Sequence, residues 1–295
     1  MKYGIIRDTQ EAKRKNVVFF VHFNKNNKLE KRTILTLLTL REIFQEIVVI
    51  ANSRLSNRNK QKVEELSDRL IMRENKGYDF GAWRDAMDLY GWDNLEICDS
   101  VTLMNDTTYF PIFPFRKIFM QFQDNELIDF WGASIHGETK TGMPGTPGRK
   151  GPVPEHVQSY YMTFKKRVVQ SSEYRMFWEN VKDYASVEEV IQKYETQLTG
   201  ILAEAGFTYD AILNPNHCNS RTGALIDALY QVPEELIAYG FPFLKIKVVS
   251  RANRNDLRLQ LKKSRSNYPA NYVTAYRPSR NSCYRFTSWF LSKRR

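Results

Sequence analysis

The 295-residue chain is 42% hydrophobic and 26% charged, as soluble globular proteins usually are, and it contains no apolar run of the roughly 18 residues that a membrane span requires. Its N-terminus lacks the apolar segment of a signal peptide, and its three widely spaced cysteines have no metal-binding spacing, which favours a reduced, cytoplasmic location. The net charge of +11 comes from residues 245–295, which hold 14 Lys or Arg against one acidic residue.

The predicted elements alternate between strands and helices. Strands are predicted at residues 16–23, 47–53, 69–74, 100–106, 129–136 and 159–166, and helices at residues 29–46, 60–68, 172–181 and 186–205. This order predicts an α/β fold with a mainly parallel central sheet and helices on both faces. Ligands of such sheets bind at the carboxyl ends of the strands. Residues 137–155, rich in Gly and Pro, are predicted to form a loop with a lid or binding role.

The first candidate site motif is "RENKGYDFGAW", which follows the third predicted strand. Gly77 can take a positive φ there, and Gly81 allows another group to approach the first turn of the next helix closely. Backbone N–H groups at that helix start favour an anion. A tight turn with Asp79 as an ordinary N-cap is the alternative.

The second motif, "LMNDTTYF", places Asn105 and Asp106 at the end of an apolar strand. A carboxylate at this edge can hold a divalent cation, which would neutralise a diphosphate leaving group. A simple turn is the alternative interpretation of the Asn-Asp pair.

The third motif is the helical segment "SVEEVIQKYETQLTGILAEAGF". Glu195 lies on the flank of its apolar stripe, where a partly desolvated carboxylate suits a general base. A partly exposed helix glutamate without a catalytic role is the alternative.

Taken together, these motifs resemble the rhamnan synthesis protein F family over about residues 17–245. The resemblance is carried, in order, by "RENKGYDFGAW", "NDTTYFP", "DFWG", "HVQSYYMTFKK", "FWENV", "VIQKYETQLT" and "FPFLK". It implies a GT-A-like, Rossmann-like glycosyltransferase fold that uses a nucleotide sugar. The implied donor is dTDP-rhamnose, and the implied acceptor is a lipid-linked cell-surface polysaccharide or lipopolysaccharide.

The resemblance also implies roles for individual residues. Glu195 would be the catalytic base of an inverting transfer, because it resembles the second acidic position of the "ED" motif of that class. A divalent cation, Mg²⁺ or Mn²⁺, would be held at Asp106, where the sequence has Asn105-Asp106 in place of Asp-X-Asp, with His217 as a later metal-binding histidine or an ordinary loop histidine. The implied nucleotide-sugar contacts are Asn75, Gly77, Asp79, Asn105 and Asp106, and the implied sugar or acceptor contacts are Asp129, Trp131 and Gln158.

The basic C-terminal region defines the predicted domain division, with a catalytic domain at residues 1–244 and an extension at residues 245–295. Its interleaved cationic and aromatic residues suit an anionic membrane surface, so we expect peripheral association with the inner face of the cell membrane. Two other classes stay open: a protein that binds nucleic acid through this region, and a non-catalytic scaffold with a sugar-nucleotide fold. No recognition motif supports the first, so no nucleic acid partner is expected.

Overall fold

The computed structural model of the protein describes residues 14–139, 152–217, 233–249, 254–264 and 266–273. Strands and helices alternate through these ranges as the sequence predicts. The strands are β1 (Asn16–His22), β2 (Glu46–Ala51), β3 (Arg69–Met72), β4 (Ser100–Asn105), β5 (Thr108–Tyr109), β6 (Phe130–His136), β7 (His156–Val157), β8 (Tyr161–Lys165), β9 (Tyr209–Leu213) and β10 (Leu244–Lys245).

The helices lie between these strands and after the last of them. They are α1 (Lys31–Arg41), α2 (Asn57–Glu64), α3 (Tyr78–Tyr90), α4 (Trp92–Glu96), α5 (Arg116–Asp124), α6 (Lys166–Val169), α7 (Ser172–Glu179), α8 (Val187–Val190), α9 (Thr196–Glu204), α10 (Pro233–Tyr239), α11 (Ile246–Val249) and α12 (Arg254–Lys263). A π-helical segment, Ile191–Glu195, joins α8 to α9.

Eight strands form the central sheet, in the order β3-β2-β1-β4-β8-β6-β7, and β9 also pairs with β6. The first four strands of this order are parallel to one another, as is β9 to β6. Strand β8 runs antiparallel between β4 and β6, so β4 and β6 point in the same direction. The predicted α/β fold with a mainly parallel sheet is therefore confirmed.

Strand β1 shows why the sheet is covered on both faces, since all seven of its residues are buried. Val18 and Phe20 pack in one core with residues of α1 and α5, whereas Phe19 packs in a second core with residues of α3, α7 and α9. A strand with helices on both sides must be apolar on both sides, which accounts for the continuous hydrophobic run.

The predicted helix over residues 186–205 is one helical segment with an irregular middle. The helix predicted from the apolar periodicity is correct for the two ends, α8 and α9. Between them, Ile191–Glu195 forms a π-helix. The extra residue in this turn changes the direction of the side chains that follow it. Glu195 lies at the end of this segment.

The chain after residue 244 continues to pack on the same core. Strand β10 pairs antiparallel with β5, and Leu257, Leu261, Tyr268 and Val273 are buried in the core that contains α1. The boundary predicted between residues 244 and 245 therefore does not coincide with the end of the packed core. Residues 250–253, 265 and 274–295 of the predicted extension lie outside the described residues. Among the described helices, none is long and apolar enough to cross a membrane.

Candidate functional site

The candidate site begins where β4 ends, with two neighbouring residues on opposite faces of the sheet. Asn105 donates from Nδ2 to Asp79 Oδ2 at 2.8 Å, on the face covered by α3. Asp106 accepts from His22 Nδ1 at 2.6 Å, on the face covered by α1. The pair therefore links the two helical layers at the carboxyl edge of the sheet, because successive residues of an extended chain point to opposite faces.

Asp106 is a buried carboxylate held by cationic and hydrogen-bonding neighbours. Its Oδ2 accepts from His22 Nδ1 and from the backbone N–H of Phe23, and its backbone oxygen accepts from Arg32 at 2.6 Å. A second guanidinium nitrogen of Arg32 lies 4.0 Å from Oδ2. These contacts fix the carboxylate and offset its charge.

Asp79 lies in the first turn of α3, where it faces Asn105. The N-cap position is taken by Gly77 with φ +66°, so the alternative of Asp79 as the N-cap is wrong. Burial, followed by the charges of Asp106 and Glu195, raises the pKa of Asp79 to about 7, although the hydrogen bond from Asn105 and the charge of Lys247 act in the opposite direction. Asp79 is thus within electrostatic reach of both other carboxylates.

The two glycines of the first motif make room for the protein's own groups. A Cβ on Gly77 would lie 2.3 Å from Asp183 Oδ1, and a Cβ on Gly81 would lie 2.7 Å from the backbone oxygen of Lys76. The predicted close approach to the first turn of α3 therefore exists, and the approaching groups are the turn itself and Asp183. Asn75 is exposed beside this turn and accepts from Asn52 Nδ2 at 3.0 Å.

Glu195 is half-buried at the end of the π-helical segment. Its Oε1 accepts from the backbone N–H of Ser159 at 3.1 Å. The neighbouring Gln158 is buried, and its Oε1 accepts from Ser134 Oγ at 2.8 Å and from Lys245 Nζ at 3.3 Å. The structure thus brings Glu195 and Gln158 together.

Two other predicted site residues, Asp129 and Trp131, lie elsewhere. Asp129 precedes β6 at the amino end of the sheet, opposite Asp106, and accepts from Arg167 and Thr208. Trp131 has no exposed surface and stacks on Phe122. Neither residue can contact a ligand at the carboxyl edge, so their prediction as sugar or acceptor contacts is wrong. Sequence order alone could not show at which end of β6, or how deeply, they lie.

His217 lies beyond β9 with two thirds of its side chain exposed, and its Nδ1 is 3.6 Å from Asp210. Within the part of the chain that the structure describes, no three His, Cys, Asp or Glu side chains are grouped to hold a metal ion. His217 therefore joins no such group there.

The residues at the predicted metal position do not fit a divalent cation. Mg²⁺ and Mn²⁺ prefer several oxygen ligands. The side-chain oxygen of Asn105 already accepts from the N–H and the hydroxyl of Thr107, and one Asp106 oxygen accepts from His22. The guanidinium of Arg32 beside Asp106 also opposes a second positive charge.

Sequence reasoning missed two lysines, of which Lys245 ends the last recognised motif and Lys247 follows it. Lys245 lies in β10, with Nζ 5.0 Å from the centre of the Tyr160 ring, and burial lowers its pKa to about 8 against the charge of Glu195. Lys247 lies within electrostatic reach of Asp79. The motif "FPFLK" could have drawn attention to Lys245, but the excess of positive charge after it suggested a tail.

The sheet order and the acidic carboxyl edge define a GT-A-like protein of the Rossmann type. Residues 47–289 match the family described as rhamnan synthesis protein F, which is most of the chain. The chain belongs to the rhamnan synthesis protein F family, so the resemblance of its motifs is confirmed.

One curated relative is an uncharacterised protein, y4gN, of Sinorhizobium fredii (strain NBRC 101917 / NGR234). It is 28% identical over 169 residues, which is 57% of this chain and 41% of the relative. The chain therefore spans less than half the length of that relative.

The chain also has distant likenesses to solved structures. The mannosyltransferase Ktr4p of S. cerevisiae in complex with GDP is 11% identical with a TM-score of 0.39, covering 68% of each chain. The 4-diphosphocytidyl-2C-methyl-D-erythritol synthase of Anaerococcus prevotii DSM 20548 is 9% identical with a TM-score of 0.37, covering 68% of this chain and 88% of that one. No residue role is taken from these likenesses.

Proposed function

We propose that the protein is an inverting glycosyltransferase that moves a deoxysugar, rhamnose, from dTDP-rhamnose to a hydroxyl of a lipid-linked cell-surface polysaccharide or lipopolysaccharide. The observation that carries the proposal is that hydrogen bonds hold Asp79 and Glu195 around the end of β4, next to Asp106. Asn105 bonds the carboxylate of Asp79 and the backbone of Tyr160, and the neighbouring Ser159 bonds Glu195. Family membership supports the transfer of a sugar.

Glu195 is the proposed general base. It takes the proton of the acceptor hydroxyl while that oxygen attacks the anomeric carbon, and the bond from this carbon to the diphosphate oxygen breaks on the opposite side. The N–H of Ser159 orients the carboxylate through Oε1. A positioned base of this kind contributes about 10²- to 10⁴-fold to turnover.

The nucleotide end of the donor is proposed to lie along the start of α3. The proposed contacts in this region are Asn75, Gly77, Asp79 and Asn105. Asp106 follows directly after the last residue of β4. A partly protonated Asp79 can donate as well as accept a hydrogen bond, which suits contact with a base or ribose. Gln158 lies beside Glu195, away from the start of α3, and is the proposed contact for the acceptor.

A Glu195→Gln substitution tests the catalytic proposal. Gln keeps the acceptor for the Ser159 N–H but cannot take a proton, so donor binding should persist while turnover falls by about 10²- to 10⁴-fold. Transfer is measured with a panel of nucleotide sugars and extracted lipid-linked glycans. Glu204→Gln, at an exposed position in α9 close to Glu195 in sequence, is the matched control and should keep full turnover. Full turnover in Glu195→Gln would remove this residue from the mechanism.

We further propose that the protein acts at the inner face of the cell membrane, where a lipid-linked acceptor would be presented. The support is the positive charge and aromatic content of the C-terminal region.

A further inference from the structure

We infer that Lys245 and Lys247, rather than a divalent cation at Asp106, neutralise the diphosphate of the donor. This inference rests on the proposed function, because it concerns the leaving group of the same transfer. It assigns a binding role to a short segment, β10 and the start of α11, that includes the end of the last recognised motif and the residues just after it.

Backbone pairing places this segment directly beside the chain that follows Asp106. Lys245 pairs with Thr108 in the β5–β10 ladder, and the N–H of Ile246 donates to the oxygen of Thr107 at 3.0 Å. Thr107 is the residue after Asp106. The two lysines are therefore fixed at the carboxyl edge of the sheet by main-chain hydrogen bonds.

The lysines lie at two different places along this edge. Lys245 is half-buried, donates to Gln158 and acts electrostatically on Glu195, the proposed base. Lys247 is exposed and acts on Asp79, beside the proposed nucleotide region. A diphosphate that links a nucleotide near Asp79 to a sugar near Glu195 would lie between the two ammonium groups.

The chemistry of the leaving group requires such positive charge. When the bond from the anomeric carbon to the phosphate oxygen breaks, the electron pair stays on that oxygen and the nucleoside diphosphate gains one negative charge. Lysine ammonium groups can neutralise this charge and donate hydrogen bonds to it. With a pKa of about 8, Lys245 is mainly protonated at neutral pH.

Asp106 has a different task in this arrangement. Its contacts to His22, to the N–H of Phe23 and to Arg32 join the ends of β1 and β4 to α1. The carboxylate is thus a structural partner of a histidine, a backbone N–H and an arginine, and it holds the edge on which β5 and the lysines are built.

Calorimetric titration with dTDP, UDP and GDP tests the inference on the full chain, with Mg²⁺ and with EDTA. We expect at least one nucleoside diphosphate to bind the wild type equally well under both conditions. Lys245→Met and Lys247→Met should each weaken that binding by about 10- to 100-fold, the size of a lost charged hydrogen bond, and Lys247→Arg should restore it. Lys62→Met removes a half-exposed lysine of α2 that pairs with Glu65, and it should bind like the wild type.

The outcomes separate the inference from the proposed function. If EDTA abolishes binding, or if Lys247→Met binds as tightly as the wild type, the inference is wrong while the transferase proposal stands. If no nucleoside diphosphate binds the wild type, both the inference and the transferase proposal are wrong. Lys247 is exposed, so its variant stays informative even if Lys245→Met does not fold.

Discussion

Opposing influences act on the Asp79 carboxyl group. Its place in the first turn of α3 and the hydrogen bond from Asn105 favour the charged form. Burial and the charges of Asp106 and Glu195 favour the neutral form, and they prevail, since the pKa rises to about 7. Three carboxylates at one edge therefore cost stability without a bound ligand, as binding sites often do.

This pKa predicts how stability depends on pH. The unfolded carboxyl ionises near pH 3.8, while the folded group keeps its proton to about pH 7, so the folded state binds more protons between these values. The stabilisation of the folded state by the proton on Asp79 is fully present below about pH 4. It is lost as the pH rises through 7. An Asp79→Asn variant should gain about 1–2 kcal/mol relative to the wild type between pH 4 and pH 8, after discounting for partial exposure.

Urea denaturation of ligand-free protein at a series of pH values measures this effect. Asp93→Asn, which removes an exposed acid from the first turn of α4, is the matched control for the loss of one carboxyl group at a helix start. Parallel pH profiles for Asp79→Asn and the wild type would contradict the prediction.

The turn before α3 determines where that helix starts. Gly77 has a left-handed backbone, and the chain folds back so closely that the oxygen of Lys76 meets Gly81. Tyr78 is also left-handed, with φ +53°, which is uncommon for a residue with a side chain. The strained turn is the element that orients Asp79 toward Asn105.

A pair of glycine substitutions tests this account of the turn. Gly81→Ala places a Cβ 2.7 Å from backbone oxygen, so we expect the free energy of unfolding to fall by about 1–3 kcal/mol. Gly200→Ala, in the interior of α9 with no atom within 4 Å of the added Cβ, should raise it by about 0.5–1 kcal/mol. Thermal denaturation of the two variants measures the contrast, and a stabilised Gly81→Ala protein would show that the close approach is not required.

The π-helical segment has a comparable role for Glu195. A regular helix through residues 186–205 would follow the apolar stripe. The extra residue in the π-helical turn rotates the side chains that follow it by about 100° relative to that regular helix. The observed winding places Tyr194 OH on the N–H of Lys182 at 2.6 Å and Glu195 on the N–H of Ser159. Tertiary contacts thus override helical periodicity at the proposed base.

At the scale of the whole molecule, the basic region divides into two parts. Tyr268 and Val273 are buried in the core, so a truncation after Lys262 would remove core residues. A truncation after Val273 removes six basic and five aromatic residues and no acidic residue. The truncation after Val273 is therefore the appropriate variant for a membrane-binding experiment.

The truncation after Val273 tests the proposed membrane contact. Each Lys or Arg near an anionic surface contributes about 1 kcal/mol, so we expect partitioning onto phosphatidylglycerol vesicles to fall by at least about tenfold. Sedimentation with these vesicles measures the change, with phosphatidylcholine vesicles as the control. Unchanged sedimentation would refute membrane docking by this segment, and tight, salt-sensitive binding to RNA lost on truncation would favour the nucleic acid alternative.

The sequence by itself determined the alternation of elements, the buried strands and the acidic motifs, because burial on both faces requires continuous apolar runs and strand ends accumulate polar residues. It placed Asp79, Asn105, Asp106, Gln158 and Glu195 on segments that the structure brings to one region. Only the tertiary structure decided that Asp129 lies at the far end of β6, that Trp131 is core, and that Lys245 pairs beside Thr108. The reason is physical: strand direction, depth of burial and pairing between distant segments depend on non-local contacts that no local pattern records.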